Sequence, residues 1–361
     1  MKVVFLISFL RLLLRFLFGF LQHGIKCKPK SRFQKLWPYQ PRSLYEHWTR
    51  SLSIEIGWID DFNKIIAQYV KHYQQLPMFY QHSQGVRGIS LSSDCTKIAV
   101  SFANHSIGIL DIKLRNTEFI LKGHSSYVSC IQFSPDCAVI ASSSFDRSVR
   151  LWNAHKGEEL RKLIGHTDRV QSVQFSSDGN TIVSGSLDAT IRLWGAASGK
   201  EIKKIHLFSV VLNVQFSPNG QSVVCSMGNG VIRIKDIALG NEKDLKGHSS
   251  AVVASYFSSD GRYIVSCSSD ATIRIWDVTL GKIISTLQGH STNVVDVKFL
   301  PGDQTIVSCS YDKTIRVWNI TTGKETQLLQ GHSDWVTGID VSPDGQVIVS
   351  CCEDGMIQMW G

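Results

Sequence analysis

Residues able to do acid–base chemistry recur here on a fixed spacing. Gly-His dipeptides end at His124, His166, His248, His290 and His332, and tryptophans stand at 152, 194, 276, 318 and 360. Both series step by 42 residues, or by a double step of 82. A lone imidazole in such a place would suggest a general base or a metal ligand. One imidazole per unit points instead to structure, because every copy of a repeat meets the same surroundings. Seven of the twelve histidines are read as holding that position, counting His206 in an altered fourth unit. Gly199-Lys200, Gly281-Lys282 and Gly323-Lys324 lack the full GxxxxGK[ST] frame and recur as turns. GxSxG, HExxH and dinucleotide fingerprints are absent. The nine cysteines form no CxxC pair, and Cys267, Cys309 and Cys351 recur every 42 residues, as small buried thiols of a reducing compartment would. The expectation is a chain without catalytic residues, bound metal or cofactor.

The elements that carry these residues are strands. Within one unit the alternating segments VQSVQF, TIVSGS, TIRLW and an ELRKLI-type run are separated by short turns rich in Asp and Gly. Four short strands cannot bury both faces alone, so copies must stack side by side in a ring. The units run over about 82–111, 124–153, 166–195, 206–236, 248–277, 290–319 and 332–361, with outer strands between them.

The letters GH, FSPDG and IRLW or IRIWD at these spacings resemble WD repeats, over roughly residues 75–361. The resemblance implies an all-β, seven-bladed β-propeller. It also implies one hydrogen-bonded set per blade, joining the His, a Ser of the second strand, the turn Asp and the Trp. The sets are His124, Asp146 and Trp152; His166, Asp188 and Trp194; His248, Asp270 and Trp276; His290, Asp312 and Trp318; and His332, Asp354 and Trp360. Which Ser completes each set, for example Ser184 or Ser186 in the second, is left open. A buried imidazole, carboxylate, hydroxyl and indole N–H can satisfy one another, so the chemistry agrees with that implication. Unit 1 has Asn104 and Leu110, unit 4 has Asn229 and Lys235, and both are expected to be softer blades.

The family commonly contacts partners beside the turn Asp and just after the Gly-His. Carried over, the first group is Ala103, Phe145, Leu187, Gly228, Ser269, Tyr311 and Glu353. The second is Gly85, Tyr127, Arg169, Val210, Ala251, Asn293 and Trp335, with Arg87 and Gln171 beside it. Aromatic and Arg side chains dominate interface energies. Those available, Arg87, Tyr127, Phe145, Arg169, Tyr311 and Trp335, fall in units 6, 7, 1, 2 and 3. A protein or peptide partner is expected there.

The last unit ends at Gly361, one residue past Trp360, without an outer strand of its own. Residues 75–81, QLPMFYQ, stand where other units carry outer strands and are expected to close the ring, Pro77 being tolerable on an unpaired edge. Residues 51–74 are read as an amphipathic helix and 1–50 as an apolar, then basic, leader and linker. Arg11 and Arg15 interrupt the apolar run 3–21, which leaves spanning, interfacial and membrane-independent readings open. Membrane contact, if made, falls to residues 1–35, with the rest of the chain cytoplasmic.

The net charge of +8 sharpens this division. Twelve of the 38 basic and four of the 30 acidic residues lie in 1–74, leaving 26 of each sign in the repeats. A neutral ring argues against phosphate-backbone binding through the propeller. The reading is a non-enzymatic interaction scaffold. A subunit of a nucleic-acid-associated, RNA-processing complex is the alternative, and a catalytic propeller with an unrecognised site the weaker one. Oligomeric state has no signature in the sequence.

Overall fold

The computed structural model describes residues 73–361 apart from Met78. The leader, the linker and the helix expected over 51–74 lie outside these residues, save Tyr73 and Gln74. The repeats form seven four-stranded antiparallel sheets, six of them meanders from the channel outward. Blade 3 shows the plan, with strands Val170–Phe175, Thr181–Ser186, Thr190–Gly195 and Glu201–His206. Its second and third strands are buried almost throughout, whereas the outer one alternates and is mostly exposed. A strand sandwiched between two blades loses its polar face, and one at the rim keeps it.

The core therefore lies between blades. Val265, Cys267, Ile275 and Leu287 of blade 5 pack with Val294, Val297, Ile306 and Trp318 of blade 6 in one cluster. Cys267, Cys309 and Cys351 are fully buried, and the eight described cysteines are all free. The three Gly-Lys pairs lie in turns, with Gly199, Gly281 and Gly323 at φ of 69°, 67° and 64°. The innermost strands turn a free edge to the central channel, and side chains from the preceding blade satisfy it. Gln132 Oε1 accepts the Phe175 N–H at 2.7 Å, and Asp340 Oδ2 accepts the Leu91 N–H at 2.8 Å.

Blade 7 is completed by the start of the ring. Its fourth strand is Tyr80–Gln81, paired antiparallel with Met356–Trp360, and Gln75 bridges Trp360. The Gln74 and Gly361 backbones exchange hydrogen bonds of 2.9 and 3.0 Å. Phe79 and Tyr73 are buried beneath this strand, and the Tyr73 hydroxyl donates to the Gly345 carbonyl at 2.8 Å. Where blades 2, 3 and 6 pair Arg150, Arg192 and Arg316 with Glu159, Glu201 and Glu325, blade 7 uses two amides. Gln358, wholly buried, donates to the Leu76 carbonyl at 2.6 Å and accepts from Gln75 at 3.2 Å.

Candidate functional site

Four blades carry a complete relay. In blade 3 the Trp194 indole N–H donates to Ser184 Oγ at 2.9 Å, and Ser184 meets His166 Nε2 at 2.7 Å. His166 Nδ1 meets Asp188 Oδ2 at 2.9 Å. One assignment of protons gives every atom a partner: neutral His166 donates from Nδ1 and accepts the serine hydroxyl at Nε2. The same chain runs through Trp152, Ser142, His124 and Asp146, through Trp276, Ser266, His248 and Asp270, and through Trp318, Ser308, His290 and Asp312. The choice left open in the sequence resolves into two jobs. Ser184 is the shared hub, while Ser186 Oγ accepts the Asp188 N–H at 3.1 Å. The glycine before each histidine leaves room for the side chains crossing it: a Cβ on Gly123 would stand 2.5 Å from Arg150 Nη1 and 3.0 Å from Trp152 Cη2.

The fifth expected set is broken. His332 Nε2 meets Ser350 Oγ at 2.6 Å and Trp360 donates to the same oxygen at 2.9 Å, yet His332 Nδ1 is buried without a partner. Asp354 instead accepts from Ser333 Oγ, from Cys352 Sγ and from the Met356 N–H. The cause lies two residues after the Asp. Ser148, Thr190, Thr272 and Thr314 donate both N–H and hydroxyl to Oδ1 and pin the carboxylate. Met356 has no hydroxyl, and Cys352 replaces the supporting serine.

Blades 1 and 4 have no Trp–Ser–His chain. In blade 4 the relay histidine position is held by buried Leu207, not His206, which ends the exposed outer strand of blade 3. The serine position is Cys225 and the supporting one Met227, both in the same apolar cluster as Leu207. Lys235 stands for the Trp and pairs with Glu242 at 2.9 Å. In blade 1 Val100 and Leu110 take the Ser and Trp positions. Phe102 fills the space beneath His82, stacked at 3.9 Å between ring centroids. Gly108 makes that possible, since a Cβ there would lie 2.7 Å from the Phe102 ring. A half-satisfied buried network is worse than an apolar one, which is why the members change together.

The relays make stability sensitive to acid. Burial disfavours the charged form of Asp188, but donors from Thr190, Thr167 and His166 outweigh it and hold the carboxyl at about 2. Burial pushes His332 down to about 4, only partly opposed by Asp354. Both values lie below those of the unfolded chain, so both groups stabilise the fold above the unfolded values and lose that effect as pH falls. The thermal midpoint should fall first between pH about 6.5 and 4, where His332 takes up a proton in the unfolded chain but stays neutral in the fold, and again between about 4 and 2, where Asp188 is protonated in the unfolded chain but ionised in the fold. His332→Gln should flatten the first decline, as followed by circular dichroism; an unchanged slope would remove His332 from it.

The rim residues come together pairwise. In each blade the residue before the turn Asp or Asn donates its N–H to the carbonyl of the residue three after the histidine position: Phe145 to Tyr127 at 2.9 Å, Leu187 to Arg169 at 2.9 Å, Tyr311 to Asn293 at 3.1 Å and Glu353 to Trp335 at 3.0 Å. The two loop groups therefore form one face, opposite the turns that join third and outer strands. On it Tyr311 and Trp335 stack at 4.8 Å. Arg87 pairs with Glu353 at 2.9 Å and lies 4.5 Å over the Tyr127 ring. Tyr127 meets Phe145 edge-on at 6.1 Å, and Arg169 lies 4.8 Å over Phe145. All six expected contact residues join this strip, and apart from Arg169 they line the mouth of a central channel of about 810 Å³. His105, edge-on to Tyr127 at 5.0 Å, also belongs to it. It was not singled out in the sequence, although it directly follows Asn104 in the turn where the first group lies. Trp335 and Tyr127 remain 49% and 38% exposed.

Among the described residues no cluster of His, Cys, Asp and Glu could hold a metal ion. A family model described as the IFT122 first beta-propeller matches residues 85–361. No curated protein matches the chain.

Proposed function

Since the chain belongs to the family of the IFT122 first beta-propeller, we propose that it is a non-enzymatic scaffold whose loop face docks a protein or peptide partner. The observation that supports this reading is the continuous strip from Tyr311 and Trp335 through Arg87 and Tyr127 to Phe145 and Arg169. Trp, Tyr and Arg are the side chains that most often carry binding energy. Here each is held by a neighbour before any partner arrives, which lowers the entropy lost on docking. Complete relays lie in blades 2, 3 and 6, which present Tyr127, Phe145, Arg169 and Tyr311. The balanced charge of residues 75–361 argues for protein rather than nucleic acid as the partner. The eight free thiols among the described residues support a cytoplasmic setting. Contact with an anionic membrane, which rests on the charge of residues 1–35, belongs to the same proposal.

The test is a double substitution, Trp335→Ala with Tyr127→Ala. It should lower partner affinity by roughly tenfold or more, the scale of lost hot spots, while leaving the thermal midpoint nearly unchanged. Full affinity in the double variant would move the site elsewhere.

A further inference from the structure

The loop-face strip is chemically polar along its length, and that polarity specifies a ligand. At the blade 6 and 7 end the exposed surface is the Tyr311–Trp335 stack, and its charges are already engaged. Arg87 is paired with Glu353, and Lys313 Nζ donates to the Ser333 carbonyl at 2.7 Å. Asp334 Oδ1 accepts the Trp335 N–H. At the blade 2 and 3 end two guanidiniums flank the aromatic pair Tyr127 and Phe145, one in space and one in sequence. Arg169 lies over Phe145, and Arg147 follows two residues after Phe145 in the same turn, exposed and at φ 69°. Among the described residues neither has a carboxylate within ion-pair distance, in contrast to Arg87, Arg150, Arg192, Arg233 and Arg316. The nearby Asp168 is turned back, its Oδ1 accepting the Arg169 N–H at 2.7 Å.

Resting on the docking reading above, we propose that the strip takes an extended peptide segment with an apolar or aromatic residue at one end and an anionic side group at the other. The apolar residue packs on Trp335 and Tyr311, and the anionic group reaches Arg169 and Arg147. Packing Arg169 against an aromatic face limits its motion while leaving its N–H donors free, so an anion meets a guanidinium already placed. The ring as a whole carries 26 charges of each sign, so this cationic end is a local feature and not the edge of a basic surface.

The experiment uses the full chain and fluorescein-labelled decapeptide pools read by anisotropy. Each pool has one fixed Trp and, a few residues away, an Asp-Glu pair, a phosphoserine, an Asn-Gln pair or a Lys-Arg pair. At least one anionic pool should bind about tenfold or more tighter than the Asn-Gln pool, the scale of a charge-assisted hydrogen bond; the tighter of the two identifies carboxylate or phosphate as the group. Arg147→Ala with Arg169→Ala should bring that pool down to the Asn-Gln level. Equal or tighter binding of the Asn-Gln or Lys-Arg pool overturns the anionic assignment, and the docking reading stands if that binding is still lost in Trp335→Ala with Tyr127→Ala. Binding of every pool that is indifferent to that double variant, or no binding by any pool, overturns both.

Discussion

A chain lacking residues 1–81 should melt roughly 10 °C or more below one lacking 1–72, at the usual 2–4 °C per kcal/mol for domains somewhat smaller than this. The shorter truncation leaves every contact described above in place. The longer one removes Tyr73 and Phe79 from the core, each side chain contributing about 1.5–3 kcal/mol by burial. It also strands Gln358, whose amide would lose Gln75 and the Leu76 carbonyl while still largely enclosed, at about 1–3 kcal/mol. The Met356–Trp360 strand then becomes an open edge able to pair with another chain, so aggregation should accompany the fall. Scanning calorimetry on the two truncations gives the comparison. Equal midpoints would mean that the ring does not depend on its amino-terminal strand.

Ser184→Ala should lower the midpoint by roughly 6–12 °C. Its hydroxyl serves two buried groups, His166 Nε2 and the Trp194 N–H, and both would be left without a partner. Each unsatisfied buried group costs about 1–3 kcal/mol, so about 3 kcal/mol is the expected loss. The control is built into the molecule. Cys225 holds the same strand position in blade 4 among apolar side chains, with its thiol pushed up to about 12 by burial. Cys225→Ala should cost only a small cavity, about 1 kcal/mol. If the two variants melt alike, the relay contributes packing but not polar satisfaction.

How much of this was written in the sequence differs from residue to residue. The resemblance to WD repeats supplied the Asp of each relay and the two loop groups; that members of the two groups pair, Phe145 with Tyr127 and Glu353 with Trp335, came only from the structure. The period of 42 placed the His and Trp of four relays, because equivalent positions of a repeat share a backbone environment. Closure by residues 75–81 was legible for the same reason, since a blade without a fourth strand needs one. Ser184 and Ser186 were indistinguishable: two residues apart on a strand, they project to the same side of the sheet. His206 misled because unit 4 lacks the glycine that precedes His124, His166, His248, His290 and His332. That shifts His206 onto the outer strand of blade 3 and leaves Leu207 in its place. The glycine is dispensable there, since Lys235 stands where a Trp ring would cross it. Asp354 carried a signal that a simple period cannot weigh, the absence of a hydroxyl at Met356. The charge pairing within the strip, Arg87 with Glu353, joins blades 1 and 7 across 266 residues and has no local signature.

The central claim, that partners dock on the loop face, is tested most directly by placing a photo-crosslinking benzoylphenylalanine at two positions of the full chain. One is Tyr127, within the strip. The other is Leu239, 76% exposed in a turn between third and outer strands and so on the opposite face. On irradiation in cells, position 127 should yield a discrete cross-linked partner and position 239 should not. An adduct from 239 with none from 127 would contradict the account.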